Sequence, residues 1–359
     1  MVMSDIPDEL SEPRCWTAED CQKHDFRDVG RKPAYMTYGK GSKKTEWLHA
    51  RYISPQENHD AGRFEAMTKI RDHFLDHEYQ KEMLAVQANK TNHLERRGTG
   101  FDLSWAVPPH HAGIRISKIA QKHESNTEIL KLLAEVNMDI LGEAVPELNA
   151  RGGMYLRQWA KNAAMTFGSE SNVCSTSAQV NVSKLGENLG VALKGKGKPH
   201  MDINDVPTYY TVLLFLSNPP PEWYEGKFVI YSTRVFCEGA TFGALVFSSK
   251  HPHSSQGFGF YQPDLPQDLR YTLPEGLTLP VVPDHLPHSR VAIPIYCRSD
   301  AMKPRKKWLK WLTSDTLPEE AIVVFGTKRN LQEWGLRFFI NIRSKNDIRS
   351  ADEWCDAYT

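Results

Sequence analysis

The sequence predicts an α+β protein in which helices come first and an antiparallel β-core comes after them. Apolar residues recur at helical spacing between about residues 61 and 145. From about residue 172 the pattern changes to short β-rich runs punctuated by Gly, Pro and Asn. The helices carry apolar faces that need a sheet to cover, so residues 61–359 are read as one domain.

Residues 1–60 are polar and broken by Pro and Gly, with isolated aromatics Trp16, Tyr35, Tyr38 and Trp47. This segment reads as an irregular N-terminal arm, partly pinned by those rings. The next segment, 61–170, is a helical preamble. Phe64, Met67, Ile70 and Phe74 place a helix within 61–91, and 92–120 is rich in loops, with Pro108-Pro109 and His110-His111. Ser125-x-x-Glu128 has the form of a capping box, and Ile129, Leu132, Leu133, Val136 and Ile140 form the stripe of a second helix that Pro146 closes. Residues 153–165 read as a third helix.

The β-core spans about 172–300. Its candidate strands are Gln179–Ser183, Tyr209–Leu216, Lys227–Tyr231, Ala244–Phe247 and Val291–Cys297. Ile322–Phe325 and Leu336–Ile342 fall among the C-terminal strands and helix of 301–359. Short strands with turn signals between them suggest a sandwich or barrel. No internal repeat is visible.

Lys+Arg and Asp+Glu both number 44, so the formal net charge is zero. That balance excludes a chain that coats nucleic acid non-specifically, and any such contact must come from local basic loops. The six cysteines are scattered with no CxxC pair, which excludes a zinc ribbon and suggests reduced thiols inside a cell, in nucleus or cytoplasm. MVMSDIPDEL is acidic and lacks an apolar core, so no signal peptide is expected. No apolar run approaches the ~18 residues of a membrane span, and no obligate protein partner is evident.

The informative stretch opens with KGKGKPHMDIND, residues 194–205. His200 and Asp202 are one residue apart, so on an extended strand they share a face. Imidazole nitrogen and carboxylate oxygen then arrive side by side, two-thirds of a 2-His-1-carboxylate facial triad that leaves half an octahedral metal open. An HxD pair alone is unspecific in a chain with 14 histidines. Its weight comes from the order of the segments downstream: TVLLFL at 211–216, a Pro-rich turn at 219–221, GKFVIY at 226–231, GALVFSSKHPHSS at 243–255 and SRVAIPIYC at 289–297.

This order resembles the double-stranded β-helix (jelly-roll) core of the iron(II)/2-oxoglutarate-dependent oxygenases. The resemblance implies His200, Asp202 and a distal histidine as ligands of Fe(II), with Arg290 gripping the far carboxylate of 2-oxoglutarate through its planar fork. O₂ is the co-substrate. His253 fits the distal position best, six residues after Phe247 and ahead of Ser254-Ser255, while His251 competes for it. The stretch from His253 to Arg290 is longer than the family's and reads as a loop insertion, which leaves Arg270 and Arg298 as rival partners of the keto acid. Arg290 has the plainer reading of an edge-strand ion pair. His73 and His77, at i,i+4, read as a solvated face, and His110-His111 as loop residues. His285 and His288 lie near Arg290 in sequence.

Within the superfamily the resemblance over roughly 165–300 is nearest to TET/JBP-like nucleic-acid base dioxygenases, particularly fungal ones. It rests on the helical preamble, Asn181 in the strand before HxD, Asn204-Asp205 after it, and His-Pro-His-Ser-Ser. It implies hydroxylation of a methyl group on a DNA base, 5-methylcytosine or 6-methyladenine, flipped out of the duplex, and favours the nucleus. Lys194, Lys196 and Lys198, and the segment KPRKKWLKW at 303–311, are the candidate basic contacts; the plain reading of 303–311 is a solvated helix face with buried tryptophans. The alternatives are a 2-oxoglutarate-dependent hydroxylase of a small molecule or protein side chain, and a non-catalytic binding protein.

Overall fold

The computed structural model describes residues 6, 21, 23–30, 32–38, 45–88, 99–106, 115–116, 123, 125–145, 177–184, 199–203, 205, 210–220, 223–224, 226–255, 260–261 and 273–297. The helix expected at 153–165, both strands expected beyond 301 and the basic segment 303–311 lie outside these residues. The chain divides into two compact units, one of residues 1–101, 179–203 and 211–294, the other of 102–178, 204–210 and 295–359.

The elements in chain order are β1 (Arg27–Asp28), β2 (Ala34–Tyr38), β3 (Thr45–Ile53), α1 (Pro55–Asp60), α2 (Phe64–Leu75), α3 (His77–Ala88), β4 (Thr99–Ala106), β5 (Arg115–Ile116) and α4 (Asn126–Ala144). Then come β6 (Ser177–Lys184), β7 (Thr211–Phe215), β8 (Trp223–Tyr224), β9 (Lys227–Ile230), β10 (Val235–Glu238), β11 (Ala244–Phe247), β12 (His253–Ser255), β13 (Phe260–Tyr261) and β14 (Ser289–Tyr296). Helices and largely antiparallel sheets together make the α+β class that the sequence predicts.

In the first unit two sheets share one core. One sheet runs β2-β3-β11-β7-β14-β6 and the other β1-β10-β9-β12. β11 lies antiparallel between β3 and β7, with Leu245 opposite both Tyr52 and Leu213. Every residue of β7, β9 and β11 is buried, which is why, after Thr211 and Lys227 at the starts of β7 and β9, these strands are apolar without alternation. Leu213, Phe215, Leu245, Phe247 and Ala50 of the first sheet meet Phe228, Ile230, Val235 and Cys237 of the second. Each large apolar side chain buried there contributes roughly 1.5–3 kcal/mol. Gly243 opens β11 because a Cβ there would collide with the Tyr52 hydroxyl and the Ala240 carbonyl.

The segment read as an irregular arm supplies β1, β2 and β3. Its polar composition hides them, since β2 has an exposed edge and only alternate residues of the segment need be apolar. The helix expected over 61–91 is broken at Asp76, whose backbone turns extended (ψ 123°) and whose side chain accepts from the Tyr79 N–H at 2.7 Å, starting α3. α2 buries Phe64, Met67, Ile70 and Phe74 as the periodicity requires.

In the second unit α4 buries Ile129, Leu133, Val136 and Ile140, ending at Ala144 ahead of Pro146. The capping box expected at Ser125 does not form: Ser125 has helical φ/ψ and its hydroxyl is engaged by His123. A true capping box starts α1 instead, where Ser54 and Glu57 satisfy each other's backbone N–H at 3.2 and 2.7 Å. Also in this unit, β4 and β5 pair antiparallel. No helix among the described residues is long and apolar enough to cross a membrane.

Candidate metal centre

The chain leaves β11 at Phe247, turns through Ser248–Pro252 and enters the other sheet at His253. The His251 N–H donates to the Ser248 carbonyl at 3.3 Å, and the Pro252 carbonyl accepts from the Tyr231 N–H at 2.9 Å. β12 then pairs with β9, His253 opposite Ile230. His253 is therefore fixed where the chain crosses between the sheets.

His200 pairs with His253 in an isolated antiparallel bridge. The two residues exchange both backbone hydrogen bonds, at 3.0 and 2.9 Å. Residues directly opposite in such a pair project their side chains to one face, and the two imidazole centroids stand 4.4 Å apart. Asp202 comes two residues after His200, and its N–H donates to the Ser249 carbonyl at 3.0 Å. Its Oδ2 lies 3.5 Å from His253 Nε2. Lys250 Nζ donates to the Ile203 carbonyl at 2.6 Å, pinning the same turn.

His200, Asp202 and His253 each offer one ligand atom, and these atoms lie within 4.8 Å of one another. Among the described residues this is the one such group of three or more. His253 is 3% exposed, Asp202 half-buried and His200 exposed, so the group opens toward solvent on the side of His200. The His253 ring stacks on Phe228 at 5.5 Å and meets Phe247 edge-on at 5.1 Å. Its Nδ1 lies 2.8 Å from the His251 carbonyl oxygen. A carbonyl only accepts, so Nδ1 carries a proton, and Nε2 is the ring nitrogen turned toward Asp202.

Burial acts to raise the Asp202 carboxyl, but its hydrogen bond to His253 and the charges of His253, His200 and Lys250 outweigh it and leave the group below its ordinary value. An ionised carboxylate between two imidazoles suits a divalent first-row metal. The donor set therefore fits iron(II), which takes two imidazoles and one carboxylate with positions left open.

Arg290, at the start of β14, is 7% exposed and donates from Nη2 to Ser255 Oγ at 2.8 Å. Ser255 lies two residues after His253 on β12, hence on the same face. His251 lies outside the ligand group: its ring packs edge-on against His49 at 4.4 Å and 84°. Asn181 sits half-buried on β6 and accepts from Gln179 Nε2 at 3.0 Å. Asp205, in the second unit, is buried. Lys194, Lys196, Lys198, Asn204, His110, His111, Arg270 and Arg298 lie outside the described residues.

His73 and His77 do not pair as ligands. His73 packs on Tyr79 at 4.1 Å, and His77 faces Glu78 at 3.6 Å. His285 and His288 are exposed, and His288 Nδ1 lies 3.3 Å from the Asn218 carbonyl. Sequence reasoning missed Ser255 as the partner of Arg290, although its i+2 spacing from His253 was a usable signal. It also missed His49, which carries no local signal because its neighbour comes from a distant turn.

No protein-family model matches the chain, and no curated protein matches it. Among solved structures the chain is similar to the oxidoreductase of the 2OG-Fe(II) oxygenase family from Burkholderia pseudomallei, at 11% identity over 78% of each chain with a TM-score of 0.28. It is similar to the viral collagen prolyl hydroxylase vCPH from Paramecium Bursaria Chlorella virus-1 in its 2OG complex, at 9% identity over 69% of this chain and 94% of that one, TM-score 0.26. It is also similar to NgTET1 in complex with 5mC DNA, at 11% identity over 73% of this chain and 79% of that one, TM-score 0.37.

Proposed function

We propose that this chain is an iron(II)- and 2-oxoglutarate-dependent dioxygenase that hydroxylates a methyl group, with a methylated DNA base as its substrate. The observation that carries the reading is the convergence of His200, Asp202 and His253, with His253 Nδ1 anchored so that Nε2 faces the carboxylate. The two facing sheets around the apolar core support a jelly-roll frame for it.

His200, Asp202 and His253 would hold the metal, and Arg290 would pair with the distal carboxylate of 2-oxoglutarate. When bound, iron(II) with the keto acid and O₂ supplies oxidation: one oxygen atom enters succinate as CO₂ leaves, and the other enters a substrate C–H bond as hydroxyl. The protein's part is geometry. The His200–His253 bridge sets two imidazoles side by side, and the Asp202–Ser249 bond sets the carboxylate. Phe228 and Phe247 keep water from the buried side of His253. Ser255 holds the Arg290 guanidinium where two parallel bonds to a carboxylate are within its means.

The DNA reading is supported by the lysine-rich run just ahead of His200 in sequence, Lys194, Lys196 and Lys198, whose charges suit phosphates. Asn181, Asn204 and Asp205 are the candidate polar contacts to a base. A hydroxylated 5-methylcytosine keeps its hydroxymethyl group, whereas a hydroxylated N-methyl group collapses to formaldehyde and the free amine.

The test is mass spectrometry of methylated oligonucleotides incubated with the protein, iron(II), ascorbate and 2-oxoglutarate. A gain of one oxygen or loss of the methyl group, with succinate release abolished by Asp202→Ala, is the expected result. Absence of succinate with every oligonucleotide and without substrate overturns the oxygenase reading. Succinate release without DNA affinity, unaltered by Lys194, Lys196 and Lys198→Glu, overturns the DNA reading alone.

A further inference from the structure

We propose that His49 is a positioning residue of the metal centre, acting through the His251 ring and carbonyl on the direction in which His253 presents Nε2; the inference rests on the metal-centre reading. His49 lies on β3 in the first sheet, remote in sequence from all three ligand candidates. Its neighbours Ala50 and Tyr52 belong to or pack on the shared core, whereas His49, one residue out of phase with Ala50, faces the other way. There its ring meets the turn that carries the chain from β11 to β12.

Two contacts tie His49 to that turn. The Ser248 N–H donates to the His49 carbonyl at 3.3 Å, at the turn's start. The His49 ring meets the His251 ring edge-on, centroids 4.4 Å apart, at its far end. His251 in turn accepts the Nδ1 proton of His253 at its carbonyl, 2.8 Å away. The path from His49 to the ligand nitrogen thus runs through one ring contact, one peptide and one hydrogen bond.

The chemistry of His49 favours packing over hydrogen bonding. The residue is 2% exposed, and its Nε2 has no hydrogen-bond partner among the described residues. A ring whose polar atom goes unused does its work through shape. Backbone bonds hold the same turn: the His251 N–H donates to the Ser248 carbonyl at 3.3 Å, the Asp202 N–H to the Ser249 carbonyl at 3.0 Å and the Tyr231 N–H to the Pro252 carbonyl at 2.9 Å. Pro252 fixes its own φ and biases the His251 backbone toward extended conformations, but neither it nor these bonds touch the His251 ring. The His49 ring bears on the His251 side chain itself, and this contact adds to the backbone bonds in keeping the carbonyl toward His253.

The experiment is a titration of the full chain with cobalt(II) alone, monitored by the d–d absorption of the bound metal. Partners that orient a metal-bound histidine change metal affinity by about 10–100-fold when lost. His49→Leu, which removes the flat edge but keeps volume, is expected to weaken cobalt binding by about tenfold or more and to change the absorption band. His49→Phe, which keeps a ring at the same place, is expected to restore both affinity and band. Thermal unfolding of the apo-proteins gives the folded fraction in each case. If His49→Leu folds and binds cobalt like the parent, or if His49→Phe binds as weakly as His49→Leu, the positioning role is wrong. If the parent chain itself binds no cobalt, the metal-centre reading fails, and this inference with it. If the parent binds and only the stability of His49→Leu falls, the metal centre stands and His49 is merely core.

Discussion

His253 gives its Nδ1 proton to the carbonyl oxygen of His251, 2.8 Å away, and presents Nε2 to Asp202 at 3.5 Å. The two histidines that compete in the sequence thus hold different posts: one reaches the metal position, the other orients it through its backbone. His253→Ala is expected to lower cobalt(II) or iron(II) affinity by at least about 100-fold. His251→Ala keeps the carbonyl and loses the ring on which His49 packs, so a loss of about tenfold, matching His49→Leu, is expected for an orienting partner. Isothermal titration of the two variants checks the order; a larger loss in His251→Ala would reverse the assignment.

Arg290 is the second test. Its bond to Ser255 at 2.8 Å holds a buried guanidinium near the His253 face. A hydrogen bond to a charged group contributes about 1.5–3 kcal/mol. Arg290→Gln is therefore expected to raise the KM for 2-oxoglutarate by about 10–100-fold while leaving cobalt affinity unchanged. Succinate release measured against keto-acid concentration reads this out. Ser255→Ala, which frees the guanidinium but keeps its charge, is expected to show a smaller rise.

Acid should destabilise the fold through His49. Burial first, and then the charge of His251, lower its pKa from 6.5 to about 3. Between those values the unfolded chain binds a proton that the folded chain refuses. Stability present above about pH 6.5 is therefore lost as the pH falls toward 3, by up to roughly 1.4 kcal/mol per unit. The lowered Asp202 carboxyl adds its own loss, but only as the pH falls below its ordinary value of 3.8. Urea unfolding at pH 7.5 and pH 5 should show His49→Phe losing about 2 kcal/mol less than the parent. Equal losses would mean that His49 takes up its proton in the folded state.

Asn58 anchors the turn before β11. It is fully buried, donates from Nδ2 to the Phe242 carbonyl at 2.8 Å and accepts from Arg63 Nη1 at 3.0 Å. Phe242 holds a left-handed backbone, φ 67°, which a bulky residue adopts only when its surroundings impose it. Phe64 at 4.7 Å and Arg71 at 5.2 Å pack on its ring. Asn58→Ala removes one hydrogen-bond partner from the Phe242 carbonyl and one from the Arg63 guanidinium, a loss of about 1–3 kcal/mol. Chemical denaturation measures it; a change below about 0.5 kcal/mol would show the turn to be held by packing alone.

Local pattern was enough for the strands of the core and for the HxD pair. TVLLF after its first residue, Thr211, and ALVF throughout are apolar without alternation because both faces of β7 and β11 are covered, and an i,i+2 pair shares a face wherever the backbone is extended. Local pattern could not choose between His251 and His253, which are also two apart and would share a face on one strand. The turn over Ser248–Pro252 separates them, and that turn exists because the chain passes from one sheet to the other. The same limit explains the two capping boxes. Ser54-x-x-Glu57 and Ser125-x-x-Glu128 look alike in sequence, and in the second the Ser125 hydroxyl and N–H both turn to His123 Nδ1 instead. His49 beside His251 and Arg290 beside Ser255 join residues far apart in the chain, a proximity that only the pairing of strands in space creates.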